Sequence, residues 1–261
     1  MSAVVDRSAD IAFPLPRCPD ESRAFHEQWP VRLGDTDADQ RLRLDAVARY
    51  LQDIGYDHLK VVEEGDLHPG WIVRRTVIDV LRPIEFGDQV HLRRWPAALS
   101  NRWCTMRIQV RSEQGGLIET EMFLIHVDIE AGTPARMSDR FMAPMLAATT
   151  EHRLRWRAAL REHTDVTAEP WPFPLRVTDI DHYGHVNNAV HWEAVEEALA
   201  RFPGAQALPY RVVLEHAGPV MAGDDVLVRA WQGETALHVQ LEVDGGARTL
   251  ARIEPLAPVP V

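Results

Sequence analysis

Residues 179 to 188 read DIDHYGHVNN, and this short run holds most of the side chains in the chain that could act on a substrate together. A carboxylate at Asp181, an imidazole at His185 and the amides of Asn187 and Asn188 bracket a tight turn at Gly184, just ahead of a helix-forming run. A carboxylate so placed can take a proton from water or attack a carbonyl itself, and these two routes stay open. The free N–H groups at a helix start favour negative charge on the oxygen of a group under attack. The set therefore suits cleavage of an activated acyl group. Asparagine is a strong helix N-cap, so one of Asn187 and Asn188 is expected to hold the turn. Asp179 reads as a turn or salt-bridge residue. Asp179, Asp181, His182, His185 and His191 include no cysteine and no recognised zinc spacing, so they read as turn and helix-face residues, and no metal or redox cofactor is expected.

The elements that must position this run occur twice. VRLGDTDADQRLRLDAVARYLQDI (31–54) aligns without a gap on LRVTDIDHYGHVNNAVHWEAVEEA (175–198), pairing Arg32 with Arg176, Asp35 with Asp179 and Asp37 with Asp181. RPIEFGDQVHLRRW (82–95) then matches GPVMAGDDVLVRAW (218–231), and Gly115-Gly116 matches Gly245-Gly246. Order is kept while the loops of the second copy shorten, which is the signature of a duplicated domain. The first copy has Asp39, Gln40, Arg41, Arg43 and Leu44 where the second has Tyr183, Gly184, His185, Asn187 and Asn188. Its Asp37 thus stands without the glycine, the histidine and the amides, and a degenerate site is expected there.

Each copy runs from a short strand through Asp-x-Asp into a helix of about four turns. Leu44, Val47, Leu51 and Ile54 recur at helical spacing in the first copy; His191, Val195, Ala198 and Phe202 do so in the second. Strands follow, with Met106, Ile108 and Val110 alternating with Arg107, Gln109 and Arg111, and Leu237, Val239, Leu241 and Val243 alternating with His238, Gln240 and Glu242. This alternation predicts one buried and one wet face, and each Gly-Gly pair predicts a tight hairpin and an antiparallel sheet. A sheet with one apolar face wraps around the helix, so the fold class is α+β. Residues 1–24 read as a loosely structured start, 25–136 as the first unit, 137–170 as a connector and 171–261 as the second unit. Within the connector, RLRWRAALREH (153–163) is helical in composition.

A formal net charge of −11 argues against nucleic acid as a partner. Two cysteines, Cys18 and Cys104, are too few for a disulfide framework and fit a reducing compartment. No run approaches the roughly 20 apolar residues of a membrane helix, and the first residues carry acids and prolines where a signal peptide has an apolar stretch. A cytoplasmic location is expected.

GHVNN behind Asp-x-Asp, with GDTDADQRLRLDAVARYLQD and WIVRRTVIDVLRPIEFGD upstream, resembles the acyl-acyl carrier protein thioesterases over most of residues 28–257. These are related to the 4-hydroxybenzoyl-CoA thioesterase-like hotdog enzymes. The resemblance implies a tandem (double) hotdog, each unit a long helix wrapped by an antiparallel sheet, and hydrolysis of fatty acyl-acyl carrier protein to free fatty acid. It implies Asp181 and His185 as catalytic residues with Tyr183, Asn187 and Asn188 around them. It further implies an acyl slot against the first helix at Leu44, Val47, Leu51 and Ile54. Coenzyme A thioesterases share the Asp-x-Asp-x-x-Gly-His-Val-Asn-Asn pattern, so an acyl-CoA substrate is the alternative, and a non-catalytic acyl-binding protein is the rival from another class. The Asp-x-Asn-Pro-x-His turn of hotdog dehydratases is absent. Plant members carry asparagine at the Tyr183 position, and their acidic residue on a later strand falls near Pro219 or Val220, neither of which ionises. Because one chain supplies both units, a monomeric pseudo-dimer suffices, and a homodimer is the alternative. Acyl carrier proteins are acidic, which makes Arg153, Arg155, Arg157 and Arg161 candidates for a docking patch, while a run of this kind more often reads as a solvated helix face.

Overall fold

A computed structural model describes residues 11–164 and 166–258. Two long helices, α1 (Leu44–Val61) and α3 (Asn188–Arg201), pack against one another and against one face of a single antiparallel sheet. A third helix, α2 (Asp139–Ala148), starts at Ser138, whose hydroxyl accepts from Phe141 N at 3.2 Å.

In chain order the strands are β1 (Phe25–Pro30), β2 (Trp71–Arg82), β3 (Gln89–Leu99), β4 (Trp103–Ser112), β5 (Leu117–Asp128), β6 (Thr133–Pro134), β7 (Trp171–Pro172), β8 (Tyr210–His216), β9 (Leu227–Gln232), β10 (Leu237–Val243) and β11 (Gly246–Pro255). Across the sheet they run β1-β3-β4-β5-β2-β8-β11-β10-β9-β7, with β6 paired to β5. The order reads the same from both edges once each strand is replaced by its repeat. The duplication seen in sequence is therefore a pseudo-two-fold, with β2 and β8 paired antiparallel at its centre from Arg75↔Glu215 to Val80↔Tyr210.

The helix pair obeys the same relation. Glu196 Oε1 on α3 accepts Leu44 N at the start of α1 at 2.6 Å. Its counterpart Gln52 on α1 donates to Asn187 Oδ1 at the start of α3 at 3.1 Å. Each helix thus receives, at its unsatisfied N-terminus, an oxygen or an amide from the other.

Two expectations are corrected. The second face of the sheet is not wet: Arg107, Arg211, Glu215 and Gln240 are buried on it. Arg211 binds Asp79 at 2.6 Å and donates to Ile11 O and Ala12 O, while Ala159 N and Leu160 N donate to Glu215. The segment around residues 11–16 and the connector cover that face, so its charges are buried in pairs, as buried charges must be. For the same reason residues 153–163 are not a helix: they run extended, with Ala159 and Leu160 turned in and Arg153, Arg155, Arg157 and Arg161 exposed. The connector's helix is α2 instead. In the hairpins only the first glycine of each pair takes a positive φ, 97° at Gly115 and 75° at Gly245; Gly116 is needed because a Cβ there would lie 2.5 Å from Pro83 O. Residues 1–10 of the expected loose N-terminus lie outside the described residues.

Candidate active site

Asp181 is held by the turn it makes. Its Oδ1 accepts Tyr183 N at 2.9 Å and His185 N at 3.3 Å, while its backbone donates to His185 O and accepts from Gly184 N. Gly184 closes the turn at φ 78°, in the region that favours glycine. Ile180↔Val186 and His185↔Met221 bridges fasten both sides of it. With Oδ1 committed, Oδ2 is the oxygen that Asp181 has left for a substrate among the described residues.

Asn187 is the N-cap of α3, its side chain accepting Ala189 N at 2.9 Å, so Asn188 opens the helix where backbone N–H groups have no intrahelical partner. Asp179 is buried and takes Arg176 in an ion pair at 2.8 Å, in line with the turn role expected of it. Tyr183 and His185 are exposed, and Tyr183 shares a hydrogen bond with Tyr56 of α1, whose hydroxyl pKa is raised by burial and by the nearby Tyr183 and Asp181.

The first copy builds the same turn around Asp37: Oδ1 accepts Asp39 N at 2.9 Å and Arg41 N at 2.8 Å, and Gln40 takes φ 66° where Gly184 stands in the second. Loss of the glycine did not abolish the turn. What separates the copies is the space in front of them. Asp181, His182, Tyr183, His185, Asn187 and Asn188 all line a cavity of about 630 Å³, and Asp37 does not. The cavity runs from this turn along α1 into the first unit, ending among Met106, Met122 and Leu124 of the sheet and Phe141 and Met145 of α2. Of the four α1 residues expected to face an acyl slot, Leu51 lines it. Leu44, Val47 and Ile54 lie in the core between helix and sheet, and the cavity takes Gln52, Gly55, Tyr56 and Leu59 from the helix instead. The lining face is turned from the most apolar stripe because that stripe packs against the sheet.

Two further histidines meet here, His191, expected only as a helix-face residue, and His216, which the sequence did not single out. His191 on α3 and His216 at the end of β8 are buried, line the cavity and meet edge to face at 4.8 Å. His191 Nδ1 is 2.7 Å from Thr249 Oγ1, while His216 Nε2 has no hydrogen-bond partner among the described residues. Burial drives the His191 pKa down to about 4 and that of His216 well below its usual value, His191 and Arg74 adding to the second, so both rings are neutral. Pro219 and Val220, where a later-strand acid was looked for, also line the cavity. His191 was visible at helical spacing, but only the fold brings His216 beside it. Among the described residues no group of three His, Cys, Asp or Glu side chains is placed to hold a metal ion.

Comparison with known proteins agrees with this geometry. Residues 22–145 match the acyl-ACP thioesterase N-terminal domain and residues 162–253 the acyl-ACP thioesterase C-terminal domain. The chain belongs to the acyl-ACP thioesterase family, whose members are thioester hydrolases. An uncharacterized protein of Mycobacterium tuberculosis, Rv2001, is 40% identical over 251 residues, covering 96% of this chain and 99% of that protein. Two solved structures share the fold: a putative oleoyl thioesterase from Lactobacillus plantarum (TM-score 0.73, 20% identity, 88% of this chain and 95% of that one) and the 12:0-ACP thioesterase from Umbellularia californica (TM-score 0.71, 18% identity, 89% and 96%). No helix among the described residues is long and apolar enough to cross a membrane.

Proposed function

We propose that the protein is a tandem hotdog that hydrolyses fatty acyl thioesters of acyl carrier protein, with Asp181 as the reacting carboxylate and the first unit as the acyl slot. The observation that carries this reading is the single cavity joining Asp181, on one copy, to an apolar lining supplied by the other. In this scheme the thioester carbonyl sits in front of the α3 N-terminus, where free N–H groups stabilise the oxyanion. Asp181 Oδ2 either takes a proton from water as that water attacks, or attacks the carbonyl itself to give an anhydride that water then opens; in both routes the C–S bond breaks and the carrier's thiol leaves, and the acyl chain lies along α1 in an apolar slot. His185 and Asn188 flank the carbonyl, while Asn187 and Tyr183 hold the turn and the mouth. The neutral pair His191 and His216 forms a polar floor beside the reacting group.

The test is release of free thiol from saturated acyl carrier protein and acyl-coenzyme A thioesters of several lengths, by the wild type and by Asp181→Asn. Asparagine keeps an oxygen to accept the Tyr183 and His185 amides, so the turn survives while base and nucleophile are lost. Turnover should fall about 10²- to 10⁴-fold with melting unchanged. Undiminished turnover in the folded variant would remove Asp181 from the mechanism. Faster turnover of the coenzyme A esters than of the carrier protein esters would move the substrate to coenzyme A.

A further inference from the structure

On its β3 wall the acyl cavity holds a charged side chain that a slot for a saturated hydrocarbon does not need. On β3 the residues facing the helix are Val90, Leu92, Arg94 and Pro96, an apolar row broken by an arginine. The matching row of the second unit has a buried Ala230 at that place. Arg94 is half-buried and lines the cavity. It donates to Nδ1 of His58, another cavity residue, whose ring stacks on Phe25 at 4.6 Å. Burial beside this cation drives the His58 pKa down to about 3, so the imidazole is a neutral acceptor and does not compensate the charge. The Cys104 thiol, also in the wall, is raised to about 12 by burial and stays protonated.

The fully buried arginines of the sheet have carboxylates, Arg107 with Glu119 and Arg211 with Asp79, as does the half-buried Arg75 with Glu215. Arg94 has none among the described residues. Of the other arginines in the lining, Arg23 is exposed and paired with Asp20 at 3.1 Å, while Arg74, half-buried and likewise without a carboxylate among the described residues, lies over the Trp156 ring at 5.1 Å and near His216, away from β3. A guanidinium drawn partly out of water without an anion is poorly compensated, whereas an oxygen acceptor delivered to it is bound by charge-assisted hydrogen bonds. The position suits a chain delivered from the active site: Gln52, which touches the α3 cap, and His58 are separated by about 9 Å along the α1 axis.

We infer that Arg94 and His58 form a subsite for an oxygen function, carboxylate or hydroxyl, on the distal part of the acyl chain, so that the favoured substrates are oxygenated rather than plain acyl thioesters. This rests on the reading of the cavity as the acyl slot. The phosphate of a carrier arm is not the group intended, because the arm enters at the Asp181 end and Arg94 lies beyond it.

The experiment uses the full chain and non-hydrolysable acyl-pantetheine amides of matched, stepped length ending in methyl, hydroxyl or carboxylate, with binding followed by calorimetry. At the length that reaches Arg94 the wild type should bind an oxygen-ended amide about tenfold or more tightly than the methyl-ended one. Arg94→Met, a close match in length without the charge, should lose or reverse that ratio, and Arg94→Lys should keep the carboxylate preference in part. A wild type that prefers the methyl end at every length overturns the subsite, and that result needs no variant to fold. So does an unchanged ratio in folded Arg94→Met. Since the amides report binding alone, a preference seen in a protein that cuts no thioester would leave the subsite standing and sink the hydrolase reading. Rapid cleavage of plain chains without the preference would do the reverse.

Discussion

Glu196 offers a measurement of how the two units are joined. Its carboxylate accepts Leu44 N at the start of α1, in a setting where burial, with Asp45 and Asp37 nearby, raises its pKa from the ordinary 4.5 to about 7 despite Arg43. Between those two values the folded state holds a proton that the unfolded chain has released, so stability falls as pH rises from about 4.5 through about 7. The full difference corresponds to about 3 kcal/mol lost by pH 8, and because a little of the side chain still meets water, about 2 kcal/mol is the figure to test. Glu196→Gln keeps the oxygen that accepts from Leu44 and carries no charge. It should match the wild type at pH 5 and exceed it by about 2 kcal/mol at pH 8, about 4 to 8 °C in melting temperature for a chain of this size. Urea denaturation at the two pH values, read by circular dichroism, checks this. Equal stability of the two proteins at pH 8, or a Gln variant weakened alike at both pH values, would refute the account of a buried, reluctantly ionised carboxylate.

Asp37→Asn should change thioester turnover less than about twofold, because Asp37 makes the same turn as Asp181 but does not line the acyl cavity; steady-state kinetics beside Asp181→Asn decide it, and equal losses would refute the division of labour. Leu51→Trp should fill part of the slot and shift the preference to shorter acyl chains, whereas Val47→Ile, in the core, should alter melting more than chain preference; a panel of acyl lengths and a thermal melt check the pair. Replacing Arg153, Arg155, Arg157 and Arg161 together with glutamine should raise KM for acyl carrier protein esters and flatten its dependence on salt, leaving pantetheine esters unaffected. Salt-insensitive turnover of the carrier protein esters by the wild type would place docking elsewhere.

The sequence by itself carried what is local and periodic. The duplication, the α+β class, the turn at Asp181 and an asparagine cap at 187 or 188 are written in residue types a few positions apart, because turns and caps are satisfied within a few residues of backbone. The family is legible in the same run. Only the tertiary structure decided which residues meet across the two units. Alternation along β4 and β10 shows that two faces differ but not that the N-terminal segment and the connector lie over the polar one, and that cover turns a wet face into buried ion pairs. Helical spacing shows that α1 has an apolar stripe but not that the stripe is spent on the sheet, leaving Leu51, Gln52, Tyr56 and Leu59 to the cavity. His216 beside His191, and Arg94 against His58, are contacts between residues tens of positions apart, formed by sheet register and by packing against the helices. Side-chain chemistry is set by residue type; whether a charged or titratable group faces water, a partner or an empty slot is set by what the fold brings against it.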